Sequence, residues 1–231
     1  RKEYKKEWIE FMNIRMAELA GKMRKAVKKV NPDIKFSVYS SYQSEYYKER
    51  YGIDWKYLAD KIDLAMCGYG RNIKELEDTL KALGKTPLVC GELVYPYDEK
   101  SQEYPKYASK ATLLRRATDS TGGFLIYTLA ELDGRTFYSI GEVSRLISDY
   151  EDFFIQHKKD NSLVDVEGIS PDDVVVFTLE GKRLIILINE TEKEKEVKVI
   201  NKKLKGEEII LDYYENKKLD TVDIIKTKIP P

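Results

Sequence analysis

The sequence predicts an α/β chain: a parallel-sheet domain made of strand–helix units, followed by a smaller antiparallel β domain. Two observations predict it. Between residues 34 and 156, short apolar runs alternate with stretches that place apolar residues every third or fourth position, the pattern of parallel strands joined by helical crossovers. After residue 157 that helical spacing ends, and β-rich runs succeed one another around tight turns. The expected division is residues 1–157 and residues 158–231, and 231 residues suit a main domain with a small companion.

Residues 1–31 read as a helix, because Trp8, Phe11, Met12, Met16, Leu19, Met23 and Val27 recur at helical spacing with Lys and Glu between them. Asn31-Pro32-Asp33 ends it, since a proline disfavours helical backbone in the residue before it. Residues 34–39 then form the first expected strand, and residues 43–52 are tyrosine-rich and irregular. Asp54 caps a short helix with Trp55 and Leu58 inward. Residues 62–69 are the second strand, and Asn72 caps a helix with Ile73, Leu76, Leu80 and Leu83 on one side, closed by Gly84. The third strand, TPLVCGELVYP over 86–96, is apolar apart from Glu92. A polar loop leads to a helix over 105–119, a fourth strand over 124–129 and a last helix over 139–156. In the tail, runs at 174–179 and 183–188 flank Glu180-Gly181 as a hairpin, and further runs at 196–200, 208–214 and 222–229 complete five expected strands. The Glu- and Lys-rich stretch 190–198 reads as a solvated turn and a guarded edge.

Composition removes several function classes. Lys+Arg and Asp+Glu are 40 each, so no net field draws nucleic acid or an anionic membrane. No apolar run approaches the roughly 18 residues of a membrane span. Only Gly68-Tyr69-Gly70 hints at a phosphate cradle, and it lacks the rest of any nucleotide motif, so no cofactor is expected. One histidine, His157, at the domain junction, offers neither a His-based metal site nor a triad. Cys67 and Cys90 sit on successive strands and read as core residues, not a bridge. A surface rich in Lys and Glu with few Cys and Met is of the thermophile kind. No secretory leader is recognisable, and the sequence assigns the chain to neither cytoplasm nor exterior.

Carboxylates and tyrosines remain. Strand C-terminal ends face the active site in parallel α/β folds, and each loop after an expected strand carries Tyr, Ser, Glu or Asp. An acid inside an apolar strand is costly unless it is paired or useful, which singles out Glu92. Glu131 and Asp133 follow the next strand, and neighbouring strands lie about 4.8 Å apart, so these carboxylates are candidates to converge. Glycosidic cleavage needs two such groups, about 5–5.5 Å apart for retention and roughly 6.5–9.5 Å for inversion. Tyr39, Tyr42, Tyr69, Tyr95 and Tyr127 would line the same rim and stack on sugar rings, though half-buried packing also accounts for tyrosines in such places. Glu131-Leu132-Asp133-Gly134 also reads as a turn with helix-capping acids, a reading that suits Asp133 better than catalysis.

Several phrases together resemble the second half of a (β/α)8 glycoside hydrolase of the β-galactosidase-like and cellulase-like kind. They are Trp8-Ile9-Glu10-Phe11 opening a long helix, the strand end Gly68-Tyr69-Gly70, Gly91-Glu92-Leu93-Val94-Tyr95, and Gly123-Phe124-Leu125-Ile126-Tyr127 before a helix ending Tyr150-Glu151-Asp152-Phe153-Phe154. The likeness covers residues 1–157, and the tail resembles the small β-sandwich that follows such barrels. It implies half of a TIM barrel whose strands are the fifth to eighth. Glu92 would be the nucleophile at the end of the seventh, and Tyr69 its hydrogen-bond partner. The acid/base of such enzymes ends the fourth strand, which would precede Arg1, so the resemblance implies a fragment that needs its missing N-terminal half or an oligomer mate. An oligo- or polysaccharide is the implied substrate. The alternative is a non-catalytic carbohydrate-binding or cell-surface protein on a degenerate barrel.

Overall fold

The computed structural model describes residues 4–68, 72–93, 110–121, 123–127, 132–156, 158–191, 193–202, 210–212, 217–219 and 224–229. The chain divides into two compact units, Arg1–Asp149 and Tyr150–Pro231.

The first unit runs α1 (Lys5–Val30), β1 (Ser37–Ser40), α2 (Glu45–Tyr51), α3 (Trp55–Leu58), β2 (Leu64–Cys67), α4 (Ile73–Leu83), β3 (Leu88–Leu93), α5 (Lys110–Asp119), β4 (Phe124–Tyr127) and α6 (Gly134–Asp149). Its strands are parallel and lie in the order β1-β2-β3-β4. Sequential order without reversal is how a (β/α)8 barrel is wound, whereas a doubly wound sheet reverses direction at a switch point. Four parallel strand–helix units in this order are half of such a barrel.

Strand alternation sorts the side chains onto two faces. Ala65 and Cys67 of β2 and Leu88 and Cys90 of β3 are fully buried in one cluster with Ala17 and Ala20 of α1, Trp55 and Leu58 of α3, and Leu76 and Leu83 of α4. That is the helix-covered face. The intervening residues, among them Tyr39, Met66, Leu93 and Tyr127, take the opposite face and are half-buried or exposed. In a closed barrel this second face is the interior.

Local chemistry sets the element ends. Asn72 accepts a hydrogen bond from the Glu75 amide and starts α4, and Gly84 at φ 60 closes it. Asp63, just before β2, accepts from the Phe36 amide (2.8 Å) and from Arg24 Nη2 (2.6 Å), with Lys28 Nζ at 3.1 Å, so one carboxylate ties α1 to the starts of two strands. Residues 45–51, expected to be irregular, are helical. Ser44 caps α2, Gly52 at φ 65 ends it, and Tyr47 stacks on Tyr51 one turn on, with centroids 5.8 Å apart. The helix expected over 139–156 instead begins at Gly134, where Asp133 caps it, and stops at Asp149.

The second unit holds α7 (Glu151–Gln156), β5 (Lys158–Lys159), β6 (Val164–Glu167), β7 (Val174–Leu179), β8 (Lys182–Leu187), β9 (Lys195–Asn201), β10 (Ile210–Asp212), β11 (Lys217–Leu219) and β12 (Ile224–Ile229). All pairings are antiparallel, in sheets β12-β9-β6, β5-β7-β8 and β10-β11. Val164, Val197 and Val199 of the first sheet share a core with Val174 and Val176 of the second, which is the packing of a small sandwich. Glu180 (φ 50) and Gly181 (φ 80) both take the left-handed turn that suits a two-residue hairpin. Residues 150–156 group with this unit, not with the barrel half, and Phe154 meets Phe177 edge-to-face at 5.4 Å. β6 falls where the sequence reads as a polar connection; only Val164 of its four residues is buried.

Candidate functional site

β3 carries Glu92 one residue from its end, two positions beyond Cys90 and therefore on the same, helix-covered face. α5 packs against β3 and turns Leu113, Leu114, Ala117 and two arginines into the interior. Arg116 Nε donates to Glu92 Oε2 at 2.5 Å. The two side chains are 6% and 5% exposed, so this is a buried, charge-assisted pair. Arg116 Nη1, also buried, has no hydrogen-bond partner. An apolar helix face broken by Arg115-Arg116 is the sequence signal that would have found this partner.

Tyr42 belongs to the same buried cluster. It is 5% exposed and packs with Cys67 and Cys90. Burial pushes its phenol far above the usual range, the neighbouring Cys90 adds to this, and Arg116 works against it. Tyr42 is thus a core residue and does not join the rim where the sequence reading put it. Burial, then the facing Cys90, also raises the Cys67 thiol, which keeps that side chain a neutral core group.

The open face presents other chemistry. Tyr39 is 46% exposed and Tyr127 51% exposed, the latter at the C-terminal end of β4. Between them in the sheet lie Gly68 and Gly91. A Cβ on Gly68 would stand 2.1 Å from the Tyr39 hydroxyl, so that ring lies across the glycine. Gly91 approaches Gly68 so closely that its own Cβ would stand 3.0 Å from Gly68 Cα. Tyr39 and Tyr127 thus share one face of the sheet, on its two outer strands, with Gly91 on β3 and Gly68 just past β2 between them.

Asp133 is engaged in capping. Its Oδ1 accepts from the Thr136 amide and hydroxyl, each at 2.8 Å. The amide bond holds its carboxyl below the ordinary range against partial burial, with the Thr136 hydroxyl and nearby Arg135 assisting. Glu131, Tyr69, Tyr95 and His157 lie outside the described residues. The structure therefore brings Glu92 together with Arg116 and Tyr42 under the sheet, and Tyr39 and Tyr127 above it. A separate polar cleft of about 860 Å³ lies outside the sheet among α1, α2, α3 and α4, with Asn13 at its wall, and none of the sequence-predicted site residues lines it. Among the described residues, no group of three or more His, Cys, Asp or Glu is placed to hold a metal, and no helix is long and apolar enough to cross a membrane.

No protein-family model matches the chain, and no curated sequence does. Among solved structures, the chain is similar to a noncanonic maltogenic alpha-amylase, AmyB, from Thermotoga neapolitana, with a TM-score of 0.54 and 10% sequence identity. The alignment covers 93% of this chain and 56% of the amylase, so the chain spans little more than half the length of that protein. At this identity the likeness is one of fold alone.

Proposed function

We propose that the chain is the C-terminal half of a carbohydrate-active (β/α)8 protein of the glycoside hydrolase type, with the sheet face that bears Tyr39 and Tyr127 as its sugar-facing wall. The observation that carries this reading is the pairing of barrel strand order with a sheet face that bears two exposed tyrosines, Tyr39 and Tyr127. Aromatic faces stack on the apolar faces of sugar rings, and phenol hydroxyls satisfy sugar oxygens. The amylase fold likeness supports the same substrate class.

In the enzymatic form of this reading, Glu92 attacks the anomeric carbon and Glu131 supplies the second carboxylate. Glu92 would then have to exchange Arg116 for substrate and turn away from the helical layer. Its buried ion pair favours the second form, a carbohydrate-binding wall in which Glu92 and Arg116 hold the end of β3 beneath the tyrosine-bearing face. Titration calorimetry with maltotriose and cellotriose tests the shared reading. Tyr39→Ala and Tyr127→Ala should each weaken binding severalfold, up to about tenfold for the loss of about 1.4 kcal/mol of stacking. Equal affinity in both variants and the parent chain, or no binding by any of them, would remove the sugar reading. Turnover of aryl glycosides that disappears in Glu92→Gln would restore the enzymatic form.

A further inference from the structure

We propose that the polar cleft among α1, α2, α3 and α4 is a second ligand site, suited to a small uncharged polyhydroxyl molecule, a short oligosaccharide. The choice of a sugar rests on the carbohydrate reading above; the site itself rests on the cleft and on one buried oxygen in its wall.

The walls come from α1, from the stretch 43–57 and from α4, all within the first unit, so no other part of a barrel is needed to shape them. The volume, about 860 Å³, falls inside the range of roughly 300–1,000 Å³ that small-molecule sites occupy. Most lining polar groups are held by one another. Gln43 donates through Nε2 to Asp54 Oδ1 (2.8 Å) and accepts from the Trp55 amide (3.1 Å). Lys48 Nζ lies 3.2 Å from Asp54 Oδ2 and 2.8 Å from Glu45 Oε1, and the Tyr57 hydroxyl donates to Glu10 at 2.6 Å. Side chains tied in this way are ordered before a ligand arrives, which lowers the entropy cost of binding.

One acceptor is left over. Asn13 lines the cleft and is 2% exposed. Its Nδ2 donates to the Ile9 carbonyl at 2.7 Å and faces the Lys48 carbonyl at 3.5 Å, which fixes the orientation of the amide and makes its other atom the acceptor. That Oδ1 is buried and has no hydrogen-bond partner. Buried polar atoms are nearly always paired, so the oxygen calls for a donor supplied by a guest. Charge and ring chemistry narrow the guest. Lysines and carboxylates line the cleft in equal numbers, so no single-sign field selects an ion. Tyr57 is the aromatic residue among the described lining, and Lys56 Nζ sits over its ring at 5.2 Å, so that face is not open to a flat base. A sugar hydroxyl can donate to Asn13 while its neighbours accept from lysines such as Lys74 and Lys81.

A double variant of the 231-residue protein, Tyr39→Ala with Tyr127→Ala, separates the cleft from the sheet face. With maltotriose, calorimetry on this variant should show one molecule bound per chain, and amide hydrogen exchange should slow over residues 43–57 and 72–82; this readout needs no change at Asn13. Adding Asn13→Leu should weaken that binding about tenfold, with tryptophan unfolding showing that the chain remains folded. Affinity unchanged by Asn13→Leu, the result expected if water alone pairs with Oδ1, would overturn the proposal. Binding by the parent that vanishes in the double variant, with no protection in the two segments, would overturn it and leave the sheet-face reading standing. Binding that ignores the tyrosine changes and is lost in Asn13→Leu would do the reverse, and no binding by any form would end both.

Discussion

Glu92→Ala distinguishes a structural carboxylate from a catalytic one. Both side chains of the Glu92–Arg116 pair are about nineteen-twentieths buried and 2.5 Å apart. Removing one partner of such a pair leaves an uncompensated charge, at a cost of about 3–5 kcal/mol. Arg116 would suffer the full penalty, because its Nη1 already lacks an acceptor. For a unit of this size the loss lowers the melting temperature on the order of 10 °C. The assay is tryptophan fluorescence during thermal or denaturant unfolding. The chain has 2 tryptophans, Trp8 and Trp55. Trp55 is fully buried in the sheet–helix core, so the signal reports the first unit alone. A compensating variant, Glu92→Leu with Arg116→Met, should recover most of the stability, since a buried ion pair can be exchanged for packed apolar groups at little net cost. If Glu92→Ala unfolds within about 0.5 kcal/mol of the parent, inside the range of ordinary surface substitutions, the structural assignment of this pair is refuted.

The other predictions concern separate parts of the chain. Asp63 should stabilise the first unit only while ionised. Its bond to Arg24, with the Phe36 amide and Lys28 adding to it, holds its carboxyl well below the ordinary range. That stability is therefore present above the unfolded-state value of about 3.9 and is lost as pH falls below it. Asp63→Asn should cost about 2 kcal/mol at pH 7 and much less at pH 2, measured as the difference in urea midpoints; an equal loss at both pH values would contradict the ionic origin. In the second unit, a Cβ at Gly168 (φ +98) would stand 2.2 Å from the Glu196 carbonyl oxygen. Gly168→Ala should destabilise that unit by at least about 1–3 kcal/mol while leaving tryptophan unfolding of the first unit unchanged.

The sequence disclosed the strands far better than the surroundings of their side chains. β2 and β3 are legible because a strand buried on one face and half-buried on the other tolerates few charges, so each is a short apolar run bounded by turn residues. Asn72 and Gly84 marked α4 at both ends because caps are local chemistry. α2 is hidden because its tyrosines have weak helix preference, and its one local signal is the Ser44 cap. The facing of Glu92 could not be read in the same way. A shift of one residue in register moves a side chain from one side of a sheet to the other. Its partner lies 24 positions along, on a helix whose rotation is set by packing. Tyr42 shows the same limit: a tyrosine just past a strand end suits a rim or a core, and only the positions of Cys67 and Cys90 place it in the core.

The glycine under the Tyr39 ring offers a handle on that ring without touching it. Because a single methyl at Gly68 would occupy the space of the phenol, Gly68→Ala should evict the aromatic plane while keeping every atom of the tyrosine in the chain. Loss of sugar affinity in that variant would then report where the ring sits, not merely whether it is present.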